Sequence, residues 1–159
     1  MIPIDIQTSG PTGAPAGRHP VGARKEIELA IRLPTAKDEL PKVLALLAAH
    51  AVGVRSHNTY HDRDRLVLLA ITDAPSRAQA VLHAAGYSCQ ADDVVLVHVA
   101  PDCPGIVARL GRQLRQAGID LLRSHLSATG SDGSYAVFKT SNNHQALHVL
   151  NDGESLPTR

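Results

Sequence analysis

The sequence predicts an α+β chain in which one β-α-β-β-α-β unit is used twice, with antiparallel sheets and the helices on one face. Three observations predict it. Apolar residues switch between a period of two and a period near 3.6 in the order strand, helix, strand, strand, helix, strand, and near Asp93 that order starts again. Gly53 and Gly118 stand at matching places in the two runs, 65 residues apart. Of 159 residues, 43% are hydrophobic but only 3% aromatic, so Ala, Val and Leu must fill the interior.

Taken in order, residues 7–24 are rich in Gly, Pro, Ser and Thr and carry no periodicity, so 1–25 is expected to be a flexible arm. IELAIRL (27–33) alternates as a strand. Asp38 is placed to cap a helix on which Leu40, Val43, Leu44, Leu47 and Ala51 recur at helical spacing, and Gly53 is expected to stop it. VGVRSHNTY (52–60) and RLVLLAITD (65–73) read as a hairpin about HDRD (61–64). Pro75 opens a second helix with Ala78, Val81, Leu82 and Ala85 on one face, ended by Gly86. YSCQA (87–91) is a short strand that completes the first unit, 26–92.

The second unit, 93–159, begins with the strand DVVLVHVA (93–100). A helix over 105–117 turns Ile106, Val107, Leu110 and Leu114 inward and Arg109, Arg112 and Arg115 outward, and Gly118 stops it. Strands at 119–128 and 135–141 flank the turn TGSDGS, a short helix covers 142–152, and a weak last strand falls in ESLPT (154–158). The order βαββαβ is that of a ferredoxin-like split βαβ unit, whose two helices cover one face of an antiparallel sheet. Units of about 65 residues are small, so joining two of them stabilises both.

Charge and motifs exclude several function classes. The net charge of +1 gives no electrostatic case for nucleic acid or an anionic membrane. No apolar run approaches the roughly 20 residues of a membrane helix, and the N-terminus lacks a signal-peptide core. Two cysteines make no disulfide framework, so a cytoplasmic protein is expected. Walker, G-x-S-x-G and G-x-G-x-x-G motifs are absent from the sequence, and no cofactor is expected. His57 with His61 and His144 with His148 could each hold two corners of a zinc site, but neither pair has a third ligand at a recognisable spacing, so they read as surface histidines and no metal is expected. Cys103 falls at a helix start, where a thiolate is stabilised, yet no partner base accompanies it, and no catalytic residue is assigned.

The stretch PDCPGIVARL (101–110) joins a strand to a helix. One reading is a turn: Asp102 caps the helix, Pro104 sits in its first turn and Gly105 makes the bend. The other is a ligand site, because the unpaired N–H groups and partial positive charge of a helix N-terminus favour a carboxylate. Gly105, lacking a Cβ, would let a ligand approach the backbone.

DVVLVHVAPDCPGIVARLGRQLRQAGIDL resembles the start of an ACT domain: a strand, D-x-P-G, a helix, then G-I-(N/D)-L. LLAAHAVGVRSHNTY and RLVLLAITDAPSRAQAVLHAAGY fit the same family more loosely, and together they look like small tandem ACT proteins, over about 26–152. The resemblance implies a non-enzymatic regulatory module that binds an amino acid at an interface between ACT units, as a homodimer, with its signal passing to a separate effector protein. It implies a site at Asp102, Cys103, Pro104, Gly105 and Ile106, with Asp120 at the family's polar G-I-N position facing a neighbouring unit. Asn58 and Thr59, on a strand polar at alternate positions, are candidates for the opposite wall, as is Arg55. The 65-residue offset maps Asp102 to Lys37 and Gly105 to Leu40, so the first unit is expected to carry a degenerate loop. The alternative is a structural or protein–protein interaction module with a vestigial site, using an exposed sheet edge.

Overall fold

Two long antiparallel strands form the middle of the molecule. The computed structural model describes residues 22–35, 38–99, 105–128 and 133–152. Strands β1 (Gly22–Leu33), β2 (Val54–Asp62), β3 (Arg65–Thr72), β4 (Ser88–Val99), β5 (Leu121–Ala128) and β6 (Ser134–Thr140) form one sheet in the order β2-β3-β1-β4-β6-β5. Every strand pair in it is antiparallel. The helices are α1 (Glu39–Ala49), α2 (Pro75–Ala84), α3 (Ile106–Gln116) and α4 (Asn143–Asp152).

Strands β1 and β4 are each 12 residues long and stay paired from Gly22↔His98 to Arg32↔Ser88. The second half of β1 also pairs with β3, from Glu28↔Ile71 to Leu33↔Leu66, and the second half of β4 pairs with β6, from Val95↔Phe138 to Val99↔Ser134. Odd-numbered residues of both strands share one face. Leu29, Ile31 and Leu33 pack there with Val43 and Leu47 of α1 and Ala78 and Leu82 of α2. Val95, Val97 and Val99 pack with Ile106, Leu110 and Leu114 of α3 and Ala146 and Leu150 of α4, around the fully buried Phe138. All four helices therefore cover one face. The sheet curls away from them until its two edge strands, β2 and β5, touch. The concave face holds a small cluster of Ile71, Val94, Leu96 and Val137.

Several expectations are corrected. The strands expected at 87–91 and 93–100 are one strand, so residues 92 and 93, the expected boundary, lie inside β4. Strand β1 starts at Gly22, within the stretch expected to be an arm. The expected strand at 154–158 lies outside the described residues. Beside β4, the sheet position that a fourth strand of the second repeat would take is filled by the first half of β1. Asp38 does precede α1, but its φ of 73° places it in the left-handed region and its side chain caps nothing. Ala51 is exposed, outside the helix, at φ 53°.

The equivalence of Gly53 and Gly118 is also replaced. Gly118, at φ 72°, ends α3, and Ile119 N–H reaches back to Leu114 O. The same closure after α1 is made by Ala51 and by Val52 N–H to Leu47 O. The two repeats thus match at an offset of 67 residues, with Ala51 opposite Gly118 and Gly53 opposite Asp120.

Asn151 of α4 holds the start of β1 as a neighbouring strand would: its Oδ1 accepts the N–H of Ala23 and its Nδ2 donates to Ala23 O, both at 3.0 Å. Replacing Asn151 by Ala removes two hydrogen bonds of about 0.5–1.5 kcal/mol each. Urea denaturation of Asn151→Ala is expected to show a loss of about 1–2 kcal/mol; no loss would mean that the latch contributes nothing.

Candidate functional site

The starts of α1 and α3 are built alike and end differently. Asp38 (φ 73°, ψ 10°) and Gly105 (φ 76°, ψ 2°) are the residues before the two helices, 67 positions apart and in the same left-handed conformation. The sequence offset of 65 had matched Gly105 with Leu40; the backbone matches it with Asp38. A left-handed residue other than glycine is strained, and Asp is among the few that tolerate it. At α1 this start is supplied with carboxylates: Asp38 itself, and Glu39, which accepts from Lys42 Nζ and Tyr87 Oη, both at 2.9 Å. These two donors hold the Glu39 carboxyl below its ordinary range. At α3 the first helical turn carries no acidic residue, and a Cβ added at Gly105 would meet nothing within 4 Å. Among the described residues, the N-terminal end of α3 therefore offers open backbone where α1 carries its own anions.

Of the expected site residues, Gly105 is exposed at this end and Ile106 is buried beneath it in the second core. Asp102, Cys103 and Pro104 lie outside the described residues. Asp120 follows the far end of α3, some 16 Å along an 11-residue helix. Its backbone is tied to Ser141, with Asp120 N–H donating to Ser141 Oγ at 3.0 Å and Ser141 N–H to Asp120 O at 2.9 Å, and its side chain is exposed. Gly53, its counterpart, makes the same exchange with Asp73, where a Cβ would fall 2.6 Å from Asp73 Oδ2. Asn58 and Thr59 are exposed on β2 and point to opposite faces: Thr59 lies opposite Leu68, under the helices, and Asn58 opposite Leu69. Thr59 N–H donates to Asn58 Oδ1. The fold thus joins Gly105 and Ile106 and sets Asp120, Asn58 and Thr59 apart from them within one chain.

The sequence reading missed a polar network inside the curl. Glu28 of β1 is fully buried and accepts a charged hydrogen bond from Arg123, which reaches across from edge strand β5. Asp92 of β4 receives Lys139 Nζ at 2.7 Å and lies 3.8 Å from Arg123. His125 Nε2 stands 3.4 Å from Glu28 Oε1, but that oxygen and His125 Nδ1 make no hydrogen bond among the described residues. Burial pushes the Glu28 carboxyl above its ordinary range, against the pull of Arg123. Burial, then repulsion by Arg123, holds the His125 imidazole below its ordinary range. Elsewhere, the buried Cys89 thiol is pushed up to about 11, which leaves it protonated and unreactive. His144 and His148 stack edge-on at 4.9 Å, and the described residues contain no group of three metal-ligating side chains. No described helix is long and apolar enough to cross a membrane.

Comparison with family models finds none that matches the chain. Comparison with curated protein sequences finds no match. Solved structures do match in fold. Protein BT0572 from Bacteroides thetaiotaomicron superposes with a TM-score of 0.74 at 22% identity, over 84% of this chain and 91% of that one. The ligand-free regulatory subunit of aspartate kinase from Thermus thermophilus gives 0.61 at 14% identity, over 82% and 96%. Aspartate kinase from Clostridium acetobutylicum gives 0.58 at 10% identity, over 83% of this chain but 34% of that one. The fold is therefore the one these structures share, among them the regulatory subunit of an aspartate kinase.

The network makes stability depend on pH. A folded-state imidazole pKa below that of the unfolded chain means that protons favour unfolding, so the contribution of His125 is lost as pH falls below about 6.5. Glu28 acts in the opposite sense nearer the carboxylate range. The difference in unfolding free energy between the native chain and His125→Gln is expected to shrink between pH 7.5 and 5.5, by at most about 1.4 kcal/mol per pH unit. A difference that stays constant or grows would contradict the placement of a neutral His125.

Proposed function

We infer that the chain is a non-enzymatic regulatory module of two ACT-type units that meet within β4, near residues 92 and 93, and share β1. It binds a free amino acid at the N-terminal end of α3, at an interface with a second unit, and acts as a homodimer. The observation that carries this reading is the contrast between the two helix starts. Among the described residues, α1 carries Asp38 and Glu39 where α3 leaves Gly105 bare, which supports a place for a ligand carboxylate in the second unit and a competitor in the first. The wide separation of Gly105 from Asp120 in one chain supports a site completed by a neighbour's residues. The ligand then favours one arrangement of units by its differential affinity for it. The likeness to regulatory domains of aspartate kinase, separate subunits among them, supports regulation without catalysis in this chain.

A second reading is favoured by edge strand β5, where Leu122 and Leu126 are 61% and 57% exposed. Exposed apolar side chains of this kind mark protein–protein contact sites, and an interaction module would use them without any ligand.

A thermal-shift screen against the twenty amino acids at millimolar concentration separates the two. Ligand at about 100 times Kd adds about 2.7 kcal/mol to the native state. A shift is expected for one or a few amino acids, and it should be lost in Gly105→Asp. That variant is chosen because Asp38 already shows an aspartate in this conformation before α1, while its carboxylate repels another. No shift with any amino acid would favour the interaction module.

A further inference from the structure

The curl of the sheet leaves a cavity of about 350 Å³ on the concave face, remote from the helices. That volume falls at the lower end of the range of about 300–1,000 Å³ typical of small-molecule sites. Its floor is Ile71 of β3 and Leu96 of β4. Tyr135 of β6 and His98 of β4 form an aromatic wall, with ring centroids 5.3 Å apart. Arg24 of β1 and Arg55 of β2, each with a side chain 53% exposed, stand at the solvent side. Ser56 lines the cavity too; it is 5% exposed, and its buried Oγ has no hydrogen-bond partner among the described residues. A buried hydroxyl left without a partner is costly, and a ligand atom in the cavity would satisfy it.

The charges at the mouth are arranged rather than cancelled. Glu26 stands 3.4 Å from Arg24 Nε and 4.0 Å from Arg55 Nη1, which draws both guanidiniums to one place. Arg24 is further fixed over the Tyr135 ring, 5.6 Å from its centroid. One carboxylate against two guanidiniums leaves net positive charge, and each fork retains N–H donors that Glu26 does not use.

We propose that this cavity binds a small organic carboxylate with an apolar, flat body: the carboxylate on Arg24 and Arg55, the body on Ile71 and Leu96 against Tyr135, and a polar atom on Ser56 Oγ. The site is distinct from the α3 end and does not depend on the amino-acid reading. It draws Arg55, Ser56 and Ile71 from the first repeat and Leu96, His98 and Tyr135 from the second, so an occupant would tie the two repeats together.

The test is a titration of the full chain with phenylacetate, followed by amide nitrogen–proton NMR, beside phenylacetamide, which has the same shape and no charge. Saturable shifts are expected at Ser56, Ile71, Leu96, His98 and Tyr135. Phenylacetamide should bind at least about tenfold more weakly, equivalent to about 1.4 kcal/mol. Arg24→Gln and Arg55→Gln, both at half-exposed positions that leave the cores intact, should each weaken phenylacetate by a similar factor, and Gly105→Asp should leave it unchanged. Equal binding of the acid and the amide, or unaltered affinity in both arginine variants, would overturn the proposal. So would shifts centred on Gly105–Arg109, or the absence of saturable shifts up to about 10 mM, an affinity weaker than about −3 kcal/mol.

Discussion

The pairing of β1 with β4 is the constraint on which the rest of the molecule depends. Eleven registered pairs run along both strands, and each strand serves one repeat with one half and the other repeat with the other half. Two small α+β units would each leave open sheet edges and thin cores. Here the edge of β4 in the second repeat is covered by the start of β1, which Asn151 of α4 clasps from its other side. The shared strands make one continuous sheet, and its continuity lets the concave face curl until β5 reaches β2 and Arg123 reaches Glu28.

That curl explains why polar residues are buried where a solvated sheet face would be expected. A carboxylate removed from water costs several kcal/mol unless it is paired, and Glu28 is paired with a guanidinium from the opposite edge. The Glu28–Arg123 contact joins β1 to β5 across the interior, while Asp92 collects Lys139 and Arg123 beside it. Removing Arg123 would leave the Glu28 carboxylate buried without its paired guanidinium, whereas Arg123, a quarter exposed, would keep Asp92 beside it. The same curvature produces the cavity at Ser56 and brings residues of both repeats to its walls.

Local pattern made much of this legible. The period of Val43 and Leu47, and that of Ile106, Leu110 and Leu114, located the core faces of α1 and α3, and the alternation of Leu29, Ile31 and Leu33 located the core face of β1. The sequence pattern ends one strand at Ala91 and opens another at Asp93. In the fold Asp92 and Asp93 are each paired within β4, Asp92 with Lys139 and Asp93 with Lys25 at 2.8 Å. Glycine as the marker of a helix end gives a repeat offset two residues short, because Ala51 adopts a positive φ in the first repeat. That shift hid the match of Asp38 with Gly105, the most informative comparison between the repeats. Glu28 and His125 carry no local sign of burial; it arises from contacts 95 residues apart in the chain.

The start of β1 is an integral strand of the second repeat. Ala23 turns its N–H and C=O to Asn151, so the intervening Arg24 and Glu26 turn theirs to β4. Native-state hydrogen exchange reads this directly. The amides of Arg24 and Glu26 are expected to exchange as slowly as that of Leu96, their partner strand's residue opposite Arg24, and to be released only with it. Fast exchange at Arg24 and Glu26 while Leu96 remains protected would show that the start of β1 frays alone and is no integral part of the second repeat.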